Sequence, residues 1–157
     1  MLSTSKAAPN RVSNAADRDH CLQYMVAVAL IKGSIDVSDF EDAAALDPRI
    51  DELRAKMVVE EDLRFTKEFY ELEKRSCANG VQVEFNDGTA TVRVDVEYPL
   101  GHKRRRKEGI PLLKEKFATN VARRFPAGRR DIIMRLYDDA ERFQQTSVDE
   151  FVDLFVI

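Results

Sequence analysis

His20 and Tyr24 stand four residues apart in a stretch whose pattern predicts a helix, so both side chains would leave one face. An imidazole and a phenol placed together suit proton transfer or carboxylate binding. A plainer interpretation makes Tyr24 a core aromatic with a satisfied hydroxyl, and His20 a helix-start residue near Asp17 and Asp19. Spacing alone favours the plainer one. A second concentration of donors is the run His102-Lys103-Arg104-Arg105-Arg106-Lys107, which comes soon after Tyr98-Pro99. Arginine grips a carboxylate with two parallel bonds, so this run suits a polyanionic ligand. One or two of the six are expected to face such a ligand and the rest to face solvent. Nucleic acid fits poorly as a partner, because the run holds no aromatic and the chain carries a net charge of -3.

Other chemistries find little support. Asp36, Asp39, Glu41, Asp42 and Asp47 form an acidic patch without the glycine and terminal glutamate of a calcium loop, so a surface role is expected. Cys21 and Cys77 lie far apart and outside any Cys-x-x-Cys pair; free thiols in a reducing compartment are expected. With two histidines in all, a two-histidine metal site would need His20 and His102 to meet by chance, and no metal is expected. The sequence lacks the glycine-rich phosphate loops, the Gly-x-Ser-x-Gly elbow and the His-Glu-x-x-His motif. Its longest apolar stretch, Met25 to Ile31, is far short of the roughly 20 residues that cross a bilayer, so no membrane is expected as partner.

Local signals define the elements that must position these groups. The 157 residues, 44% hydrophobic and 34% charged, suit one domain or two small lobes. Residues 1–13 are expected to form a loose leader. Asn14 caps a helix that runs on through Lys32 to Gly33, apolar nearly all round in its second half and so in need of packing partners. Ser38 is expected to cap a short helix to Ala45, and Asp47-Pro48 to start another through Ala55. Lys56 to Glu60 is a candidate strand. Val81, Val83 and Phe85 alternate with polar residues, as do Val92, Val94 and Val96, and Asn86-Asp87-Gly88-Thr89 joins them in a tight hairpin. One face of that hairpin should be wet and the other covered by helices. Pro111 is expected to open a helix that Pro126 closes, a further helix to run from Asp131 to Phe143, and Ser147-x-x-Glu150 to box-cap the last one. The order helix, small antiparallel sheet, helices gives an α+β class.

Ala16-Asp17-Arg18-Asp19-His20-Cys21-Leu22-Gln23-Tyr24-Met25 resembles the MmgE/PrpD family, and the likeness continues almost to the end of the chain. It takes in Asp47-Pro48-Arg49-Ile50, Tyr98-Pro99-Leu100-Gly101-His102-Lys103-Arg104-Arg105-Arg106, Gly109-Ile110-Pro111-Leu112-Leu113, Glu115-Lys116-Phe117 and Glu150-Phe151-Val152-Asp153-Leu154. The resemblance implies a segment of a larger, mostly helical two-domain enzyme with its active site between a helical domain and an α/β lid. Residues 14–33 would belong to the helical domain, 34–109 to the lid with its hairpin, and 110–157 to helices returning to the helical domain.

The chemistry implied is a cofactor-free hydro-lyase reaction, loss of water from the tricarboxylate 2-methylcitrate to give 2-methyl-cis-aconitate in propionate breakdown. Tyr24 matches a tyrosine that lines the active site in related enzymes, with His20 one turn before it as its companion; His102, Arg104 and Arg105 are the candidates for holding substrate. The remaining acid and base groups would come from an N-terminal helical domain, which makes that domain a required partner and the chain inactive alone. A homodimer is left open. The implied compartment is the cytoplasm, or the mitochondrion in a eukaryote. Two other expectations stand beside this one: a non-catalytic stand-alone or interaction module, and an enzyme of cis-aconitate decarboxylase type.

Overall fold

The computed structural model describes residues 12–156, so most of the expected leader at 1–13 lies outside the described residues. The chain divides into two compact units, one running to Leu63 and the other starting at Arg64. The bounds expected at 33/34 and 109/110 concern domains of a longer enzyme, which is a separate division.

The first unit is built on helices. Asn14 caps α1 (Ala15–Asp19) by accepting from the Asp17 N–H at 2.9 Å. The single helix expected through Lys32 is in fact two, since α2 spans Leu22–Lys32. The break has a local cause. His20 Nδ1 bonds the Ala16 carbonyl at 2.9 Å, the acceptor a continuing helix would give to its own backbone. Cys21 is extended at φ -98°, and α2 starts afresh after it. Gly33 ends α2 as expected, left-handed at φ 78°, with its N–H on Ala29 O.

Beyond Gly33 the cap is Asp36, not Ser38, and the expected helix to Ala45 is two short 3-10 turns, Val37–Phe40 and Ala44–Leu46. Asp47 caps α3 (Pro48–Arg54) with proline at its first turn, as the sequence indicates. Tyr24, Ala27 and Val28 of α2 pack on Ile50 of α3 to form the buried centre, with Cys21, Ile31, Phe40, Leu53 and Met57 around it. The candidate strand at Lys56–Glu60 is not one: Lys56 and Met57 donate back to Leu53 and Arg54, prolonging the end of α3.

In the second unit α4 (Leu63–Tyr70, its first residue at the boundary) has no counterpart among the sequence expectations. The hairpin does. β1 (Asn79–Val81) pairs antiparallel with β2 (Val94–Val96), Val81 facing Val94. Phe85 and Gly88 close the turn, with Gly88 left-handed at φ 84°. Between the Val81–Val94 pair and the Glu84–Ala90 bridge one strand advances three residues and the other four, so the second strand carries a bulge. Thr91 pairs with Val83, which leaves Val92 and Arg93 opposite Gln82 and Val92 86% exposed. The expected covered face is absent among the described residues: Val81, Val94 and Val96 are all exposed.

The last third is helical. α5 (Arg106–Arg124) starts five residues before Pro111, which lies inside it rather than opening it. The helix expected from Asp131 to Phe143 is α6 (Ala127–Asp138) and α7 (Ala140–Gln145). Asp139 breaks it because its carboxylate takes the Arg142 N–H at 3.0 Å as an N-cap. α8 (Val148–Asp153) carries the expected Ser147–Glu150 capping box. Val121, Ile133 and Leu136 are buried, and Phe117, Tyr137, Phe143, Phe151, Phe155 and Phe125 form a chain of ring contacts at 4.6–6.3 Å. Such aromatic pairs add about 0.5–1.5 kcal/mol each beyond the area they bury.

Candidate functional site

The candidate residues fall into two groups, one in each unit. In the first, the helix break separates His20 from Tyr24. Tyr24, on α2, is 1% exposed and its hydroxyl donates to the Asp39 carbonyl at 2.6 Å. Burial pushes its phenol above the ordinary tyrosine range, so it stays protonated and remains a donor. His20 sits at the end of α1 with an exposed side chain. Its Nδ1 faces the Ala16 carbonyl and the Asp19 carboxylate, which together raise its pKa from 6.5. Among the described residues its Nε2 makes no hydrogen bond, so this exposed imidazole is open to a ligand while the buried phenol is not.

Tyr24 belongs instead to a set of donors closing on residues 36–42. Arg18, 4% exposed, donates to the Phe40 carbonyl at 2.6 Å and to the Asp42 carboxylate at 2.8 Å. Lys32 pairs with Asp39, whose other carboxylate oxygen accepts the Asp36 N–H. The acidic patch expected at the surface is thus partly structural: Asp39 is buried and bonded. Sequence patterns gave no sign of Arg18, because an arginine two residues before a histidine reads as helix surface.

The second group is the basic run. Its start is a short 3-10 turn, Lys103–Arg105, capped by His102, whose Nδ1 accepts from the Arg104 N–H. His102 Nε2–H donates to the Arg75 carbonyl at 3.2 Å, and its ring lies 4.6 Å from that of Tyr98. Arg104 donates to the Glu73 carbonyl and stacks 5.1 Å above the Tyr98 ring. Arg105 donates to the Tyr98 carbonyl at 3.0 Å and pairs with Glu108 at 2.6 Å, which holds the Glu108 carboxyl below its usual range. All three of the residues expected to grip substrate are therefore tied to the chain itself. Two signs of tension lie nearby: Arg75 is left-handed at φ 46°, and Ser76 is wholly buried with a hydroxyl that finds no partner among the described residues. Among the described residues no group of three or more His, Cys, Asp or Glu side chains could hold a metal, and no helix is long and apolar enough to cross a membrane.

Residues 2–140 match the C-terminal domain of the MmgE/PrpD proteins, and the chain belongs to that family. Among individual relatives, it is 51% identical over 146 residues to a 2-methylcitrate dehydratase of Cupriavidus necator and 48% identical over 146 residues to that of Escherichia coli K12. A mitochondrial 2-methylcitrate dehydratase of Yarrowia lipolytica is 45% identical over 143 residues. The two bacterial matches cover 93% of this chain and 30% of the relative; the yeast match covers 91% and 27%. The chain thus spans about three tenths of the length of the curated relatives it matches.

Proposed function

We propose that this chain serves as the C-terminal domain in a 2-methylcitrate dehydratase, removing water from 2-methylcitrate within propionate breakdown. What carries the reading is coverage: about half of the residues are identical, across 93% of the chain, to proteins bearing that name. The reaction needs a base to take a proton beside a carboxylate and an acid to assist the departing hydroxyl. It also needs cations to hold three carboxylates and the charge that develops. Of the two catalytic candidates, His20 has the geometry of a proton-transfer group, with an open Nε2 and a raised pKa. Tyr24 serves that role only if its hydroxyl leaves Asp39, and in its present bond it positions residues 36–42. His102, Arg104 and Arg105 shape the basic loop that meets substrate.

In this reading residues 14–33 and 110–157 pack with an N-terminal helical domain, 34–109 form the lid, and the enzyme works in the cytoplasm or, in a eukaryote, the mitochondrion. The uncovered face of α2 fits that arrangement, with Leu22 and Leu30 left exposed. The test is to produce this chain together with the upstream part of the Cupriavidus necator enzyme, stripped of its own C-terminal domain. Formation of 2-methyl-cis-aconitate by the pair, and by neither part alone, is the expected result. A well-folded complex without activity, while the intact relative is active in parallel, would refute the proposal.

A further inference from the structure

The basic run divides into two sets that the sequence could not separate. His102, Arg104 and Arg105 are bonded to Arg75, Glu73, Tyr98 and Glu108. Lys103, Arg106 and Lys107 are exposed, and their side chains have no hydrogen-bond or ion-pair partner among the described residues. Three and four positions apart across the 3-10 turn and the first turn of α5, these three share one face.

Local energetics oppose that placement. Like charges three and four apart on a helix repel, and cations at a helix N-terminus face the positive end of its dipole. Yet the platform beneath them is fixed at several points. Besides the three anchored side chains, Gly109 lies so close to the Leu100 carbonyl that a Cβ there would come within 2.2 Å of the oxygen. A rigid loop that keeps three unneutralised cations together against local preference is suited to an anion that neutralises them.

We infer that Lys103, Arg106 and Lys107 form the face that binds the carboxylates of a polycarboxylate ligand, while His102, Arg104 and Arg105 position that face without touching the ligand. This deepens the proposed function and rests on it for the nature of the ligand. A tricarboxylate engages several cations at once and a monocarboxylate only one, so affinity should climb with carboxylate number at fixed ionic strength.

The full chain, with its lysine and arginine side chains labelled, is titrated with citrate, succinate and acetate at constant ionic strength while side-chain NMR signals are followed. Citrate should shift the Lys103, Arg106 and Lys107 signals with at least tenfold higher affinity than acetate, leaving Arg104 and Arg105 signals in place. The combined variant Lys103→Gln, Arg106→Gln, Lys107→Gln should bind citrate at least tenfold more weakly and unfold at no lower temperature, since repulsion is removed. Shifts spread evenly over all lysines and arginines, shifts centred on Arg104 and Arg105, or no saturable shift overturn the inference. So does a single-stranded oligonucleotide that moves these signals where citrate does not. Active paired domains with a silent face would sink this assignment and leave the proposed function standing; citrate bound at the face of an inactive pair would do the reverse.

Discussion

Replacing Tyr24 by phenylalanine removes one oxygen and nothing else, which makes the structural consequence calculable. The ring stays, so the packing on Ile50 and the contact with Phe40 at 6.3 Å between ring centres are kept. The loss is the 2.6 Å bond to the Asp39 carbonyl at a position 1% exposed. A hydrogen bond contributes about 1 kcal/mol net, and a carbonyl left without it in the interior costs about 1–3 kcal/mol of desolvation. The carbonyl oxygen has a second lone pair and residues 36–42 can relax, so the lower part of that range applies, about 1–2 kcal/mol. In a chain of this length each ~1 kcal/mol corresponds to roughly 2–4 °C in Tm. Urea unfolding of wild type and Tyr24→Phe, followed by circular dichroism, measures it directly. A variant as stable as wild type would refute the claim that this hydroxyl holds the Asp36–Asp42 segment. The same variant separates structure from chemistry in a complete enzyme. A catalytic hydroxyl adds a fall in turnover of tenfold or more, about 1.4 kcal/mol of barrier, that persists at temperatures where the variant is fully folded.

Gly109→Ala should lower stability by about 1 kcal/mol or more: alanine favours a helix, but its Cβ would press on the Leu100 backbone oxygen, and overpacking of that kind costs about 1–3 kcal/mol. Equal or greater stability in thermal unfolding would mean that the loop yields freely. His20 should titrate above 6.5 when its ring signals are followed by NMR. Because the folded-state pKa is raised, its contribution is fully present below pH 6.5 and is lost as pH rises through the higher value. A midpoint at or below 6.5 would rule out the Ala16 and Asp19 contacts in solution.

What the sequence disclosed were features whose cause lies within a few residues. Asn14, Asp47-Pro48 and the Ser147–Glu150 box mark helix starts, and Gly33 and Gly88 take the left-handed conformations their positions require. Apolar periodicity alone did not show the two helix breaks, because His20 and Asp139 each divert a backbone group with their own side chains. The bulge at Val92-Arg93 was hidden because clean alternation of valines is equally compatible with one-to-one pairing. The basic run was visible as a run, but not its division of labour. That division depends on partners 27 and 31 residues away, the Arg75 and Glu73 carbonyls, and no local pattern encodes a contact of that range.

Those two long-range bonds also make the hairpin a side loop tied off at its base. Between Arg75 and His102 the chain leaves, forms the ribbon and returns to the point of departure. The entropy of closing such an excursion depends only on the logarithm of its length, so halving or doubling it changes the cost by about 0.6 kcal/mol. The tip of the hairpin, beyond the ion pairs of Asp95 with Arg64 and Glu97 with Lys74, can accordingly lengthen or shorten while the bonds of His102 and Arg104 stay where they are. In this part of the fold, heredity can rewrite the tip of the ribbon without disturbing the ground on which the three free cations stand.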